Sequence, residues 1–285
     1  MRILIYVFCL VFGFVPVADA AGPFVFTAIP DQDESRLRAR FDKIADYLAR
    51  ALEAEVKYIP VKSYTAAVTA FRNNEVQLAW FGGLSGVRAR GLVPGSEAIA
   101  QGYEDQFFET YFIAHESLGL SPSETFPMEI AGKTFTFGSK GSTSGRLMPE
   151  FHIRQSFGKA PDEVFERVGF SGDHSRTIAL VQSGAYQVGA VNFKVWQKVL
   201  KLGTVDEAKA SVIWKTPPYP DYQWTIRGDV DDAFGAGFKD RVTQALLDMK
   251  DPDLLASFPR ESFVPASNED YQPILDVGKS IGLID

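Results

Sequence analysis

The chain has 285 residues, 46% of them apolar and 23% charged, with a net charge of −7. That length and composition suit two globular lobes, and the acidic balance excludes the electrostatic footprint of a nucleic-acid-binding protein. The single cysteine, Cys9, falls in the first twenty residues, so the rest of the chain has no disulfide, thiolate metal site or catalytic thiol.

Those first twenty residues have the form of a secretory signal peptide. Arg2 supplies the positive start, Ile3 to Val17 is an uncharged apolar run, and Ala18-Asp19-Ala20 fits the small-x-small cleavage pattern. The predicted mature chain begins at Ala21. It keeps the charge of −7, because Arg2 and Asp19 are lost together. No later stretch is apolar enough to cross a membrane, so the expectation is an exported, soluble protein.

Phe24 to Ile29 reads as the first strand, stopped by Pro30. From Leu37, the apolar residues Phe41, Ile44, Ala45, Leu48 and Leu52 recur at helical spacing. A strand at 56–61, a helix at 64–71 and a strand at 76–81 follow, and Gly82-Gly83 breaks the last. This alternation predicts a doubly wound α/β unit. Strands at 98–101 and 110–114 lead out of it, and a Ser/Pro-rich stretch, 117–127, precedes a second unit. There the expected elements are strands at 133–137, 164–169 and 187–191, with helices at 142–155, 177–182 and 195–201. A strand at 211–215 returns to the first unit. The rigid turn Thr216-Pro217-Pro218-Tyr219-Pro220-Asp221-Tyr222 leads to a strand at 223–227, and helices at 234–249 and 271–281 close the chain. The predicted division is lobe 1 at 21–112 plus 216–285 and lobe 2 at 113–215, joined by two crossing strands that act as a hinge.

Ligands in such sheets sit beyond the carboxyl ends of the strands. In the first unit that points to Pro30 to Asp33, to Ser63 and Tyr64, and to Phe81, Gly82, Gly83 and Leu84. In the second it points to Ser139 to Ser144, to Gly172-Asp173-His174-Ser175, and to Asn192, Phe193 and Lys194. The run Phe135 to Gly145 is a strand end, a glycine-rich turn and three consecutive hydroxyls at a helix mouth. Unpaired N–H groups and partial positive charge at such a mouth suit an oxyanion. Equally, Ser142 could simply cap the helix, Tyr64 pack at a helix start, and His174 and Lys194 be solvated.

Ser142, Thr143, Ser144, His174 and Asn192 are all donors. A donor-only set favours a fully ionised tetrahedral oxyanion over one that keeps a proton. Asp31, Asp173 and Asp221 lie close enough in sequence to these loops to alter that balance. Enzyme readings are thin. Gly141-Ser142-Thr143-Ser144-Gly145 has Thr at the centre of a would-be nucleophile elbow, and Lys140 precedes Gly141, the wrong order for a phosphate loop. The three histidines lack metal-ligand spacing. A Ser142–His174–Asp triad, giving an exported serine hydrolase, is the lower alternative.

At these residues the chain resembles the periplasmic phosphate/phosphite/phosphonate-type substrate-binding proteins of ABC transporters. The runs Ser63-Tyr64-Thr65-Ala66-Ala67-Val68, Leu78-Ala79-Trp80-Phe81-Gly82, Ser142-Thr143-Ser144-Gly145, Gly172-Asp173-His174 and Val188-Gly189-Ala190-Val191 match it in order, over essentially the whole mature chain. Ala28 to Glu34, Phe135 to Phe151 and Trp214 to Pro217 are most similar to the subgroup named for selenate transport. The resemblance implies a type II two-lobe α/β binding fold, a periplasmic location, no cofactor, a monomer, and delivery of ligand to a permease with its ATPase. It also implies that Tyr64, Tyr111 in the hinge strand, Ser142, Thr143, Ser144 and His174 line the ligand. Relatives often carry an acidic residue after the Gly-Ala-Val strand, where this chain has Asn192 and Lys194. That departure argues against an aminoalkylphosphonate. The expectation is a tetrahedral oxyanion, selenate first, with phosphonate or phosphite as the alternative.

Overall fold

The structure, a computed structural model, describes residues 22–258 and 260–285; the segment read as a signal peptide lies outside them. Eleven strands among the described residues form two sheets. The first sheet contains β1 (Phe24–Ala28), β2 (Val56–Tyr58), β3 (Leu78–Phe81), β4 (Glu97–Gly102), β10 (Gln223–Ile226) and β11 (Phe263–Pro265), in the order β11-β4-β10-β3-β1-β2. The second contains β5 (Thr110–His115), β6 (Thr134–Phe137), β7 (Arg167–Phe170), β8 (Val188–Asn192) and β9 (Ala210–Lys215), in the order β7-β6-β8-β5-β9. In each sheet three neighbouring strands run parallel: β2, β1 and β3 in one, β7, β6 and β8 in the other. The strands that join the two sheets, β5, β9 and β10, pair antiparallel.

The helices follow the alternation. In chain order they are α1 (Glu34–Leu52), α2 (Tyr64–Arg72), α3 (Gly83–Leu92), α4 (Met148–Phe157), α5 (Pro161–Val164), α6 (His174–Gln182), α7 (Phe193–Lys201), α8 (Val230–Phe234), α9 (Phe238–Leu247), α10 (Pro252–Ser257) and α11 (Gln272–Ser280). The side chain of Asp33 caps α1 by accepting from Arg36 N at 3.1 Å, and Leu37, Phe41, Ile44, Leu48 and Leu52 are its buried stripe. Central strands such as β3 (Leu-Ala-Trp-Phe) are buried on both faces, as parallel strands covered by helices must be.

Two predicted elements differ in a way that matters. Gly82-Gly83 ends β3 as expected, but Gly82 is also the N-cap of α3, a helix the sequence reading did not place. That helix is buried nearly all round, so it has no amphipathic stripe to reveal it. Its Gly86 packs so tightly on the Gln223 amide that an added Cβ would collide with Nε2. The helix expected at 142–155 opens instead as a wide π turn, Thr143–Leu147, before α4 begins. Pro149 offers no N–H to the turn before it, and with the register change from the π turn to α4 this frees the carbonyls of Ser144 and Gly145. Other groups take them: Gly138 N donates to Gly145 O at 2.8 Å, and Thr110 Oγ1 donates to Ser144 O at 3.0 Å. The hydroxyl-rich turn is thereby tied both to the end of β6 and to the start of β5.

The chain crosses between the sheets where Phe108 and Tyr219 form an antiparallel bridge, with N–H···O distances of 2.8 and 3.0 Å. Thr110 N donates to Thr216 Oγ1 at 3.0 Å just beyond it. The expected boundary at 112 therefore falls inside β5, which belongs wholly to the second sheet.

Gly86→Ala is expected to invert the usual sign. A glycine-to-alanine change inside a helix ordinarily gains about 1 kcal/mol. Here overpacking against Gln223 should cost about 1–3 kcal/mol, read as a lower midpoint in urea. A raised midpoint would show that the Gln223 amide moves aside freely.

Candidate oxyanion site

The loops after β1, β3, β6, β7 and β8, together with the turn before β10, converge between the two sheets. Tyr64, Ser142, Thr143, Ser144, His174, Asn192, Asp31, Asp221 and Tyr222 meet there, and each is at most 4% exposed. Helices α2, α3, α6 and α7 all begin at this junction, so their unpaired N–H ends add positive potential.

The three hydroxyls do different work. Ser142 Oγ caps the turn by accepting from Gly145 N at 2.9 Å, and it lies beside the Tyr64 hydroxyl. Thr143 reaches across to the first sheet: its Oγ1 accepts from Leu84 N at 3.0 Å and lies close enough to the Asp221 carboxyl to lower its proton affinity. Ser144 Oγ lies 3.5 Å from His174 Nε2 and also bonds to Tyr219. Gly141 lets the loop close on Tyr64, since a Cβ there would lie 2.8 Å from the tyrosine Cβ.

His174 has a defined tautomer. Asn192 N donates to its Nδ1 at 3.3 Å, so the ring proton is on Nε2, which faces Ser144. Burial pushes the imidazole down to about 4, against a small opposing pull from Asp31. It is therefore a neutral donor at physiological pH. The hydrolase alternative fails on this geometry: Nδ1 accepts a backbone N–H and cannot donate to an orienting carboxylate.

The expected donor-only character is overturned by two buried carboxylates. Asp31 Oδ2 accepts from Tyr222 Oη at 2.8 Å, and Asn192 Nδ2 donates to the same Tyr222 oxygen at 3.0 Å. Asp221 Oδ1 accepts from Gly83 N at 2.8 Å, capping α3, while Oδ2 is buried with no hydrogen-bond partner among the described residues. Burial pushes the Asp221 carboxyl up to about 7, only partly countered by Thr143 and by the bond from Gly83. Asp173, the third acid raised by the sequence, caps α6 through Arg176 N at 2.9 Å.

The remaining sequence candidates take different places. The Phe81 side chain lies in the core of the first sheet, edge-on to Phe71 at 5.6 Å. Tyr111 packs on Phe193 at 6.0 Å, with Lys215 Nζ 5.1 Å over its ring. Its neighbour Thr110 is the hinge residue beside the hydroxyls, bonded to Ser144 O and, at 2.6 Å, to Tyr219 Oη. Gly82 and Gly83 contribute backbone, next to Asp221. Asn192 spends its Oδ1 on Lys194 N at 2.8 Å and Val195 N at 3.2 Å as the cap of α7. Lys194 neither reaches the junction nor sits free in solvent; it pairs with Glu104 at 2.9 Å. Sequence reading raised Asp31 and Asp221 only as possible spoilers and passed over Tyr219 and Tyr222. The one available signal was the rigid Pro-Pro-Tyr-Pro-Asp-Tyr turn at a strand end.

The geometry predicts that His174 shows a protonated Nε2, a bare Nδ1 and no titration between pH 8 and pH 5 in ¹⁵N-resolved NMR. A midpoint near the ordinary histidine value of about 6.5 would contradict the buried environment described.

Comparison with known proteins places this arrangement. A family model described as "ABC transporter, phosphonate, periplasmic substrate-binding protein" matches residues 26–271. The chain is 39% identical over 264 residues to a probable ABC transporter phosphite binding protein, PhnD1, of Prochlorococcus marinus, covering 90% of this chain and 89% of that one. The structure of PhnD1 in complex with methylphosphonate superposes with a TM-score of 0.86 at 38% identity, covering 92% of this chain and 100% of that one. A binding-protein component of a Pseudomonas aeruginosa ABC phosphonate transporter shares the fold, with a TM-score of 0.77 at 18% identity and coverages of 90% and 85%.

Proposed function

The chain belongs to the phosphonate family of periplasmic substrate-binding proteins of ABC transporters, a binding family and not an enzyme family, and from that premise we propose that its ligand is a small phosphorus oxyanion that shares a proton with the protein. Phosphite and methylphosphonate are the leading members of that class. The observation that carries this reading is Asp221 Oδ2, a buried carboxylate oxygen with no hydrogen-bond partner among the described residues, beside the hydroxyl turn. A buried acceptor left unpaired costs about 1–3 kcal/mol, more when charged, and a ligand P–OH would satisfy it.

Selenate, the first expectation from the sequence, fits less well. Selenate and sulfate are fully ionised near neutral pH and have no proton to offer. A hydrogen between them and Asp221 would have to come from the carboxyl itself, whereas a phosphorus oxyanion can bring its own. The donors Tyr64, Ser142, Ser144 and His174 hold the remaining ligand oxygens in this reading, and Thr143 works from the second lobe to fasten Asp221. That PhnD1 binds methylphosphonate supports the same ligand class.

The closed arrangement also suits delivery. Thr143 to Leu84, Asn192 to Tyr222, His174 N to Asp31 O at 3.2 Å and Lys194 to Glu104 all link loops of one sheet to loops or turns of the other. In this proposal the enclosed ligand completes that set, and the permease receives the closed form.

Titration calorimetry of the mature protein against phosphite, methylphosphonate, phosphate, selenate and sulfate tests the reading. Phosphite or methylphosphonate should bind at least about tenfold more tightly than selenate, the worth of one charge-assisted hydrogen bond. Selenate binding as tight as phosphite would overturn it.

The sign of the pH dependence follows from the shared proton. Above pH 7, where the Asp221 carboxyl and the ligand are both deprotonated, binding must take up one proton. Phosphite affinity is therefore expected to fall by about tenfold per pH unit on that side. Calorimetry in buffers of different ionisation enthalpy counts the proton directly. With Asp221→Asn the uptake should disappear; unchanged uptake in that variant would place the proton elsewhere.

A further inference from the structure

Behind the ligand junction, on the far side of Asp31, Tyr222 and Asn192, lies a cavity of about 10 Å³, room for roughly one water. Arg40, Lys194, Lys198 and Arg260 line it together with Asp31. Two of the four cations already have carboxylate partners: Lys194 pairs with Glu104 at 2.9 Å and Arg260 with Asp105 at 2.7 Å. Arg40 does not. It is 6% exposed, makes no ion pair among the described residues, and its Nε has no hydrogen-bond partner. Its guanidinium is wedged between the rings of Phe41 at 5.7 Å and Phe258 at 5.6 Å. Lys198, half-buried on α7, is also without an ion pair among the described residues.

A buried, unpaired guanidinium is costly unless something offsets it. The ligand junction has the opposite problem. It is built to enclose an anion, yet the side chains that meet there include two carboxylates and no cation. His174 is neutral there. The charged groups around Arg40 are Asp31 and Arg260, with the neutral hydroxyls of Tyr58 and Tyr222 beside them. Around Lys198 they are Arg40, Arg36, Asp31 and Asp33. Asp31 is common to both sets and is the carboxylate between them and the ligand.

We propose that Arg40 and Lys198 are the counter-charges of the ligand site, acting through Asp31 as positioning residues. They touch no ligand. Across the cavity they offset the negative charge of Asp31, so that Asp31 can hold the Tyr222 hydroxyl without repelling the enclosed oxyanion. Tyr222 in turn accepts from Asn192, which ties this charge balance to closure of the two lobes. This assignment rests on the phosphorus-oxyanion reading above. Phosphite binding by the unmodified protein is therefore the first arm of the test: if the wild type does not bind phosphite, that reading fails and this inference with it.

Given wild-type binding, Arg40→Met should weaken phosphite binding by about tenfold, the order expected for loss of one nearby low-dielectric charge. Arg40→Lys, which keeps the charge, should recover most of the loss. The decisive variant is Asp31→Asn combined with Arg40→Met. If Arg40 serves only to pack α1, adding Asp31→Asn cannot restore binding. If it serves as a counter-charge, removing the carboxylate it offsets should recover at least about threefold relative to Arg40→Met alone. Lys198→Met, at the half-buried rim where folding is not at stake, should weaken binding by about threefold. Melting curves confirm that each variant folds. An Arg40→Met protein with wild-type affinity, or a double variant no tighter than Arg40→Met, overturns the inference while leaving the ligand assignment standing.

Discussion

Everything in this molecule converges on one buried carboxylate held between two sheets. Asp221 stands at the end of a proline-stiffened turn, 1% exposed. One oxygen caps α3 through Gly83 N at 2.8 Å, and the Thr143 hydroxyl comes across from the second lobe to lie beside the same group. The other oxygen has no hydrogen-bond partner among the described residues. A group of this kind is unstable by itself: desolvation raises its proton affinity until neutrality and ionisation compete near neutral pH. In the proposed reading, a ligand that can bring a proton relieves the conflict, and one that never carries a proton leaves the carboxyl to supply it. Selection among tetrahedral oxyanions would then turn less on the number of donors than on this one acceptor.

The surrounding structure serves to hold that acceptor in place. The missing N–H of Pro149 and the register change from the π turn to α4 free two carbonyls, which fasten the hydroxyl turn to Gly138 and Thr110. The bridge between Phe108 and Tyr219 sets the crossing point, and Tyr219 Oη then meets Thr110 at 2.6 Å. His174 is kept neutral by burial and fixed in one tautomer by Asn192 N. Gly138–Gly145 and His174–Asn192 are ties within the second lobe, whereas Thr110 to Tyr219 joins segments 109 residues apart, so the crossing depends on both sheets having folded.

Much of the frame could be read from the chain itself. Apolar runs of strand length alternating with helical stripes define both α/β units, and the strand-end rule places Tyr64, Ser142 to Ser144, His174 and Asn192 at one junction. What was illegible had physical causes. Helix α3 is buried all round and opens on two glycines, so neither periodicity nor a polar cap betrays it. Strand β11 is three residues long and ends in proline. Tyr111 and Thr110 are adjacent on one strand, and side-chain alternation sends them to different surroundings. Asp221 was visible as part of a rigid turn and as a carboxylate that could upset the donor balance, but not as buried. Its burial, and therefore its chemistry, depends on Gly83, 138 residues away, and on Thr143 in the other lobe. A donor-only site was a fair inference from side chains near the glycine-rich loops, and it failed because the acceptors enter from the opposite lobe.

A crystal structure of the mature protein with phosphite, at a resolution that locates every ligand oxygen, tests the central claim most directly. The account predicts one phosphite oxygen at about 2.5–2.7 Å from Asp221 Oδ2, the length of a charge-assisted O–H···O bond, with the remaining oxygens on the Ser142 turn and His174 Nε2. A ligand whose oxygens all lie beyond hydrogen-bonding distance of Asp221 would contradict it.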